Sequence, residues 1–293
     1  MALECRQYPI IPPKVVAIAT DPVINPVTSF PDPVNLPGEL PIKYGQDLTS
    51  GYRRPAPGKQ DVGATPEVLK PKMRKLLAIF AAGDRTGMAA RLFDAFLTDT
   101  CRMVTYFDDP DLNAAVAQHE NIKFFCDAAL SAPNLARKSS GAIRIHQALK
   151  DAGWDITKIV VPKDLGVPAL HQGNALCDLL GKDYKVNCAR GFSVGDFNNG
   201  LGLMINGVQH VYVVATHYHY DQAANQYCIT LKYFFYDVFG LDDEDLRRFG
   251  ADSDYSIPSA VGITAWWQLQ HQHGYAPLVT RAMVEKTYVV PAQ

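Results

Sequence analysis

Gly200-Leu-Gly-Leu-Met-Ile205, the Asn206-Gly207 turn, Val211-Tyr-Val-Val-Ala-Thr-His-Tyr-His-Tyr220 and Tyr227-Cys-Ile-Thr-Leu-Lys-Tyr-Phe-Phe-Tyr236 decide how this chain folds. The runs are rich in β-branched and aromatic residues and are bounded by Asn, Gly, Asp and Gln. That pattern predicts antiparallel strands joined by hairpins. Side chains alternate with period two, so Tyr227, Ile229, Leu231, Tyr233 and Phe235 share one face of the last strand. Asn206-Gly207 suits a tight hairpin, where both central residues need positive φ. The expected platform is an antiparallel meander running from Gly200 to Tyr236.

Outward from this stretch, the chain changes character. Thirteen of the 20 prolines lie at or before Pro71. Each fixes φ and removes a backbone donor, so neither a helix nor a central strand is expected there. Val15, Val16, Ile18, Val23, Ile24, Val27 and Phe30 lie between the prolines. They favour an extended arm laid along a domain surface over a free leader. Residues 1–71 therefore form a proline-rich arm and residues 72–293 the main domain.

Helical patterns follow the arm. Thr65-Pro66-Glu67 reads as an N-cap with proline at the first helical position. Met88–Tyr106 places Leu92, Phe93, Phe96, Cys101, Met103 and Val104 at helical spacing. Asp109-Pro110 starts another helix, and Ile122–Leu130 is apolar and helical. Ile143–Ala152 is a helix closed by Gly153, and the stretch from Val160 to Pro168 is loop. Asp242, Asp245, Arg247, Arg248 and Gly250 carry the end signals of a short helix, with a capping box at its start. A helix over Ala260–Gln272 stops at Gly274. Leu278–Val290 ends in the β-branched run Tyr288-Val-Val, which fits a return to the sheet. The fold class is α+β: an antiparallel meander with helices mainly on one face, preceded by the arm.

Composition excludes several function classes. A net charge of -2 without a long basic run does not point to nucleic acid. No apolar run approaches a membrane span. Met1-Ala-Leu-Glu-Cys-Arg-Gln-Tyr8 lacks a basic segment followed by an apolar core, so no cleavable secretion signal is read there. The six cysteines contain no Cys-x-x-Cys pair and read as small apolar side chains. No Gly-x-Ser-x-Gly, P-loop or dinucleotide fingerprint occurs, and no cofactor is expected.

The candidate chemistry lies in polar residues near the meander. Asp237 and Asp242 flank Phe-Gly-Leu, and Asp196 sits in Gly195-Asp-Phe-Asn-Asn-Gly200. Paired carboxylates suit glycoside hydrolysis, one as acid and the other as base or nucleophile. Asp237 follows Phe235 in the alternation and should be desolvated, which suits a general acid. The competing roles are structural: Asp242 as a helix cap, Asp237 as a strand-end acceptor, Asp196 in an Asx-turn. Asn198 and Asn199 could bind sugar hydroxyls. Trp266 and Trp267 cannot both face the core of one helix, so one is a candidate stacking surface. His217 and His219 share a strand face and form a weak metal candidate, with Asp221 or His210 as a third ligand. His119 with Cys101, Cys126 or Cys188 is a weaker thiol–imidazole candidate. His271 and His273 point apart on a helix.

Three stretches together resemble a known family. They are Leu92-Phe-Asp-Ala-Phe with Tyr106-Phe-Asp-Asp-Pro-Asp-Leu-Asn-Ala-Ala-Val-Ala-Gln-His119, then Tyr236-Asp-Val-Phe-Gly-Leu-Asp-Asp-Glu-Asp245, then Gly262-Ile-Thr-Ala-Trp-Trp-Gln-Leu-Gln-His271 with Gly274-Tyr-Ala-Pro-Leu-Val-Thr280. In order and spacing they resemble a proteobacterial domain-of-unknown-function family, whose members often sit near type VI secretion genes or at the ends of toxin-like chains. The resemblance covers about residues 75–285. The family often has His where this chain has Val238, so no role transfers to that position. The resemblance implies an antibacterial effector, made in the cytoplasm and exported without a signal peptide to act in a target periplasm. Peptidoglycan or another envelope component is the implied substrate. An immunity protein, a secretion spike and an adaptor chaperone are the implied partners. Read with the carboxylates, the expectation is a lysozyme-like glycan-strand hydrolase. The alternatives are a non-enzymatic toxin or secretion-apparatus binding module, and a metal-dependent hydrolase.

Overall fold

A computed structural model describes residues 4–20, 28–30, 42–44, 46–51, 63–98, 105–119, 122, 126, 140–164, 198–205, 210–251 and 258–292. The strands are β1 (Pro9–Thr20), β2 (Thr28–Phe30), β3 (Ile42–Tyr44), β4 (Thr105–Asp108), β5 (Lys163–Asp164), β6 (His210–Asp221), β7 (Gln226–Phe239) and β8 (Leu278–Pro291). The helices are α1 (Pro66–Phe80), α2 (Met88–Thr98), α3 (Pro110–Gln118), α4 (Ser140–Asp151), α5 (Leu201–Met204), α6 (Asp243–Phe249) and α7 (Ala260–His271).

The meander is β6-β7-β8, in a sheet of order β4-β8-β7-β6-β1-β5. β6 and β7 form a hairpin closed by Asp221 opposite Gln226. β7 pairs β8 without interruption, from Gln226 opposite Pro291 to Phe239 opposite Leu278. The outermost pairs, β4 with β8 and β1 with β5, are parallel, so the sheet is mixed. The expected α+β architecture is present, with the meander shifted toward the C-terminus relative to the sequence reading.

Two expectations about the strands are corrected. The stretch Gly200–Ile205 is not a strand: it turns into α5. Gly200 has φ of 85° and caps that helix, in a conformation that favours glycine. Asn199 Oδ1 accepts the Leu201 N–H at 3.0 Å and fixes the turn. Asn206 and Gly207 lie outside the described residues. The second correction concerns the arm, where prolines were expected to exclude a central strand. β1 lies between β6 and β5. Its prolines fall where the ladder to β6 is irregular, between Pro9 and Lys14, and regular pairing resumes over Ala17–Thr20. Proline is tolerated where a bulge already leaves donors unpaired.

The local signals at helix starts hold. Asp109 caps α3 through the N–H groups of Asp111 and Leu112. α1 begins with Thr65 as N-cap and Pro66 at its first position. The helix expected to reach Tyr106 is described over Met88–Thr98, and Thr105–Asp108 pairs with β8 instead. Most of Ile122–Leu130 lies outside the described residues.

The sheet has two apolar faces. On one, Tyr227, Ile229, Leu231, Tyr233, Phe235 and Phe239 pack with residues of α1–α7, all at or near zero exposure. Burying each such side chain contributes about 2 kcal/mol. On the other, Tyr212, Val214, Phe234, Tyr236 and Val238 form a smaller cluster with Val15 and Leu48. Leu48 belongs to a 3-10 turn at Gln46–Leu48.

That turn is bolted to the far end of the chain. Gln270 of α7 donates through Nε2 to the carbonyls of Asp47 and Thr49, both at 2.7 Å. Its Oε1 accepts the Leu241 N–H at 2.9 Å. The approach is so close that a Cβ at Gly240 would lie 2.2 Å from the Asp47 carbonyl oxygen. Gly240→Ala should therefore destabilise by about 1–3 kcal/mol, the usual cost of forcing atoms into a packed site. A lowered urea midpoint at unchanged m-value is the expected result.

Candidate functional site

Asp237 sits near the end of β7, between Phe235 and Phe239 on the helix-covered face, and is 5% exposed. Its carboxylate Oδ1 accepts the Val238 N–H at 2.8 Å. Directly across the ladder stands Thr280. The Thr280 hydroxyl lies 2.6 Å from the Met204 carbonyl and 3.2 Å from the Asp237 carbonyl, bridging α5 to the strand. The polar loop before α5 and the buried carboxylate therefore belong to one end of the sheet.

Asp196 lies outside the described residues. Asn199 is committed to the α5 turn. Asn198 accepts the Gly83 N–H through its carbonyl at 2.6 Å, and its side chain lies over Gly83. Asp84, just beyond, accepts from the N–H groups of Thr86, Gly87 and Ala89 and shapes the start of α2. These contacts fix the 198–205 loop against the turn between α1 and α2.

Asp242 is a helix cap. Its Oδ1 accepts from Glu244 N–H at 2.7 Å and Asp245 N–H at 2.9 Å, and Asp245 Oδ2 accepts the Asp242 N–H at 3.2 Å. This reciprocal box satisfies donors that a helix start otherwise leaves open. Desolvation, and then the Asp242 charge beside it, push the Asp245 carboxyl up to about 7.

The tryptophan expectation is corrected. Trp266 and Trp267 are 4% and 0% exposed, because α7 is enclosed on nearly every side. Trp266 packs on Phe239 with ring centres 4.2 Å apart. Trp267 donates through Nε1 to Asp243 Oδ1 at 3.2 Å and tilts over His271. Neither indole presents a face for a sugar. The Trp266 N–H is buried without a hydrogen-bond partner among the described residues.

The histidines are spread among separate contacts. His219 stacks on Tyr8 at 3.9 Å with the rings nearly parallel. His217 Nδ1 lies 3.0 Å from the Thr216 hydroxyl, at the bulge between Ala215 and His217. Asp221 accepts the Ala224 N–H and serves the hairpin turn. Among the described residues no group of three or more His, Cys, Asp or Glu side chains could hold a metal ion. His119 ends α3 as its C-cap, Cys126 is buried, and Cys101 and Cys188 lie outside the described residues. His271 and His273 contact the carbonyls of Leu241 and Ala64.

One cluster has no counterpart in the sequence reading. His146 of α4 lies 2.8 Å from the Tyr227 hydroxyl, both buried. Trp154 stacks on Tyr220 and Tyr227, and its carbonyl accepts the Tyr218 hydroxyl at 2.7 Å. Trp154 has φ of 62°, in the left-handed region after Gly153 ends α4. Burial holds the Tyr218 and Tyr227 hydroxyls protonated far above neutral pH. The available signal was His146 between Ile145 and Leu149, a polar residue on the apolar stripe of α4. The hydrogen bond to Tyr227 explains its place there.

Comparison of the chain with protein-family models, with curated proteins and with solved structures returned no match.

The α6 cap carries a pH signature. Asp245 binds its proton more tightly folded than unfolded. Its contribution to stability is complete below the unfolded value near 4 and is lost as pH rises through about 7. Thermal midpoints should fall from about pH 5 to about pH 8, with a slope of at most about 1.4 kcal/mol per pH unit from this group. Asp245→Asn keeps an acceptor for the Asp242 N–H and should flatten that slope. An unchanged slope would assign the pH dependence elsewhere.

Proposed function

We propose that the chain is an antibacterial effector that attacks the glycan strand of peptidoglycan in a target periplasm, with Asp237 as the general acid. The observation that carries this reading is the burial of the Asp237 carboxyl at the strand end that also holds the 198–205 loop. Glycoside hydrolysis uses a carboxyl as proton donor, and Asp237 stands buried between Phe235 and Phe239, across the ladder from Thr280. Asp196, a few residues before that loop, supplies the second carboxylate in this reading. The effector assignment draws on the resemblance in the three stretches that include Asp237 itself.

A second reading, a non-enzymatic toxin or secretion-apparatus binding module, is favoured by a different observation. Asp242, Asn199, Trp266 and Trp267 are each occupied in holding the fold together. A protein whose polar and aromatic residues serve packing can still act by binding.

Purified chain should release soluble muropeptides from peptidoglycan sacculi. Asp237→Asn should lower that release by roughly a hundredfold or more, in the range of lost general acid catalysis, with a near-native thermal midpoint. Directed to the periplasm of a bacterial host, the chain should cause lysis that Asp237→Asn relieves. Folded wild-type chain that releases nothing would sink the hydrolase reading. Lysis that persists in folded Asp237→Asn would favour the binding module.

A further inference from the structure

Cys5 and Cys228 lie far apart in sequence and meet in the fold. Cys5 opens a 3-10 turn, Cys5–Gln7, that leads into β1. The next residue, Tyr8, accepts the Tyr218 N–H at 3.0 Å through its carbonyl and stacks on His219. Cys228 stands directly opposite His219 in the β6-β7 ladder. The Tyr8 stack thus brings the turn onto the part of the sheet where Cys228 emerges. The Cys5–Gln7 turn packs against β6 and β7, which sets the Cys5 side chain beside that of Cys228. Both are free thiols, 3% and 0% exposed.

We propose that Cys5 and Cys228 are a thiol–disulfide latch, open in a reducing compartment and closed in an oxidising one, that locks the segment carrying β1 onto the sheet. The inference needs an oxidising environment and no particular substrate, so it stands apart from the glycan-strand reading. A small-molecule disulfide such as oxidised glutathione suffices as oxidant. One cysteine thiolate attacks it, forming a mixed disulfide and expelling one glutathione thiolate. The second cysteine thiolate then attacks the mixed disulfide at the protein sulfur and expels the other. Two protein thiols and one oxidised glutathione become one protein disulfide and two reduced glutathiones.

Burial controls the rate. Desolvation, together with the neighbouring Cys5 thiol that favours the protonated form, pushes the Cys228 thiol up to about 12. At neutral pH almost none of it is thiolate, and the thiolate is the attacking species. Closure therefore waits for the Cys5–Gln7 turn to lift from the sheet. Once formed, the bond joins positions separated by about three quarters of the chain, and long loops gain most from such closure.

The test uses the full chain, incubated in oxidised glutathione until its free-thiol titre stops changing, then alkylated, digested and mapped by mass spectrometry. A Cys5–Cys228 linked peptide is expected, lost on reduction. Hydrogen exchange of the backbone amides in residues 14–18 should slow by at least about tenfold on oxidation, the low end of what loop-closing disulfides contribute. Cys228→Ser and Cys5→Ser should each abolish that slowing while leaving the reduced exchange rates unchanged. The proposal is overturned if both thiols remain alkylatable, if either pairs with another cysteine in the folded chain, or if the link forms without slowing exchange.

Discussion

β7 carries large apolar side chains on both of its faces, and the rest of the structure is arranged to cover them. Phe235 and Phe239 point one way, Phe234 and Tyr236 the other, and all are buried. A strand of this kind cannot leave one face to water, as many antiparallel sheets do. Helices α1–α7 cover the first face. The second cluster is closed by Val15 of β1 and by Leu48 of the Gln46–Leu48 turn. The described parts of the proline-rich region thus belong to the fold: β1 is a strand of the sheet, and the Gln46–Leu48 turn packs on its second face.

Covering the second face requires holding the Gln46–Leu48 turn against it. Gln270 does this with one side-chain amide, using both donors and the acceptor on three separate backbone groups. A buried amide is stable only when its hydrogen bonds are made, and here they are. Gly240 lets the two backbones come close enough for the arrangement. The same corner of the molecule holds the α6 capping box, the buried His271 and the end of β7 with Asp237. Rigidity at this corner comes from polar groups that a hydrophobic pattern does not reveal.

Much of the architecture was legible in the sequence because it rests on local rules. The alternation in Tyr227–Phe235 gave the buried face, Asp109 and Asp242 gave helix starts, and Gly153 and Gly274 gave helix ends. The failures come from tertiary context. Gly200-Leu-Gly-Leu-Met-Ile205 reads as a strand until the Asn199 turn and the left-handed Gly200 are seen. The prolines of β1 argue against a central strand, yet they are harmless where the ladder to β6 is already broken. Adjacent Trp266 and Trp267 suggest one exposed indole only for a helix with a solvent face, and α7 is enclosed nearly all round. For the site, burial of Asp237 followed from its place after Phe235, but the bridge through Thr280 to Met204 joins residues far apart in sequence. The contact of Cys5 with Cys228 was invisible for the same reason.

The clamp at Gln270 also sets an order of events during synthesis. It joins positions 223 residues apart, and β1 needs β6 as its neighbour. The segment made early lacks its neighbours on β6, β7 and α7 until those have left the ribosome. Through that interval the apolar side chains of Val15, Val16 and Leu48 lack these partners. Such segments invite non-native pairing, and a holding chaperone would find its clearest footing there.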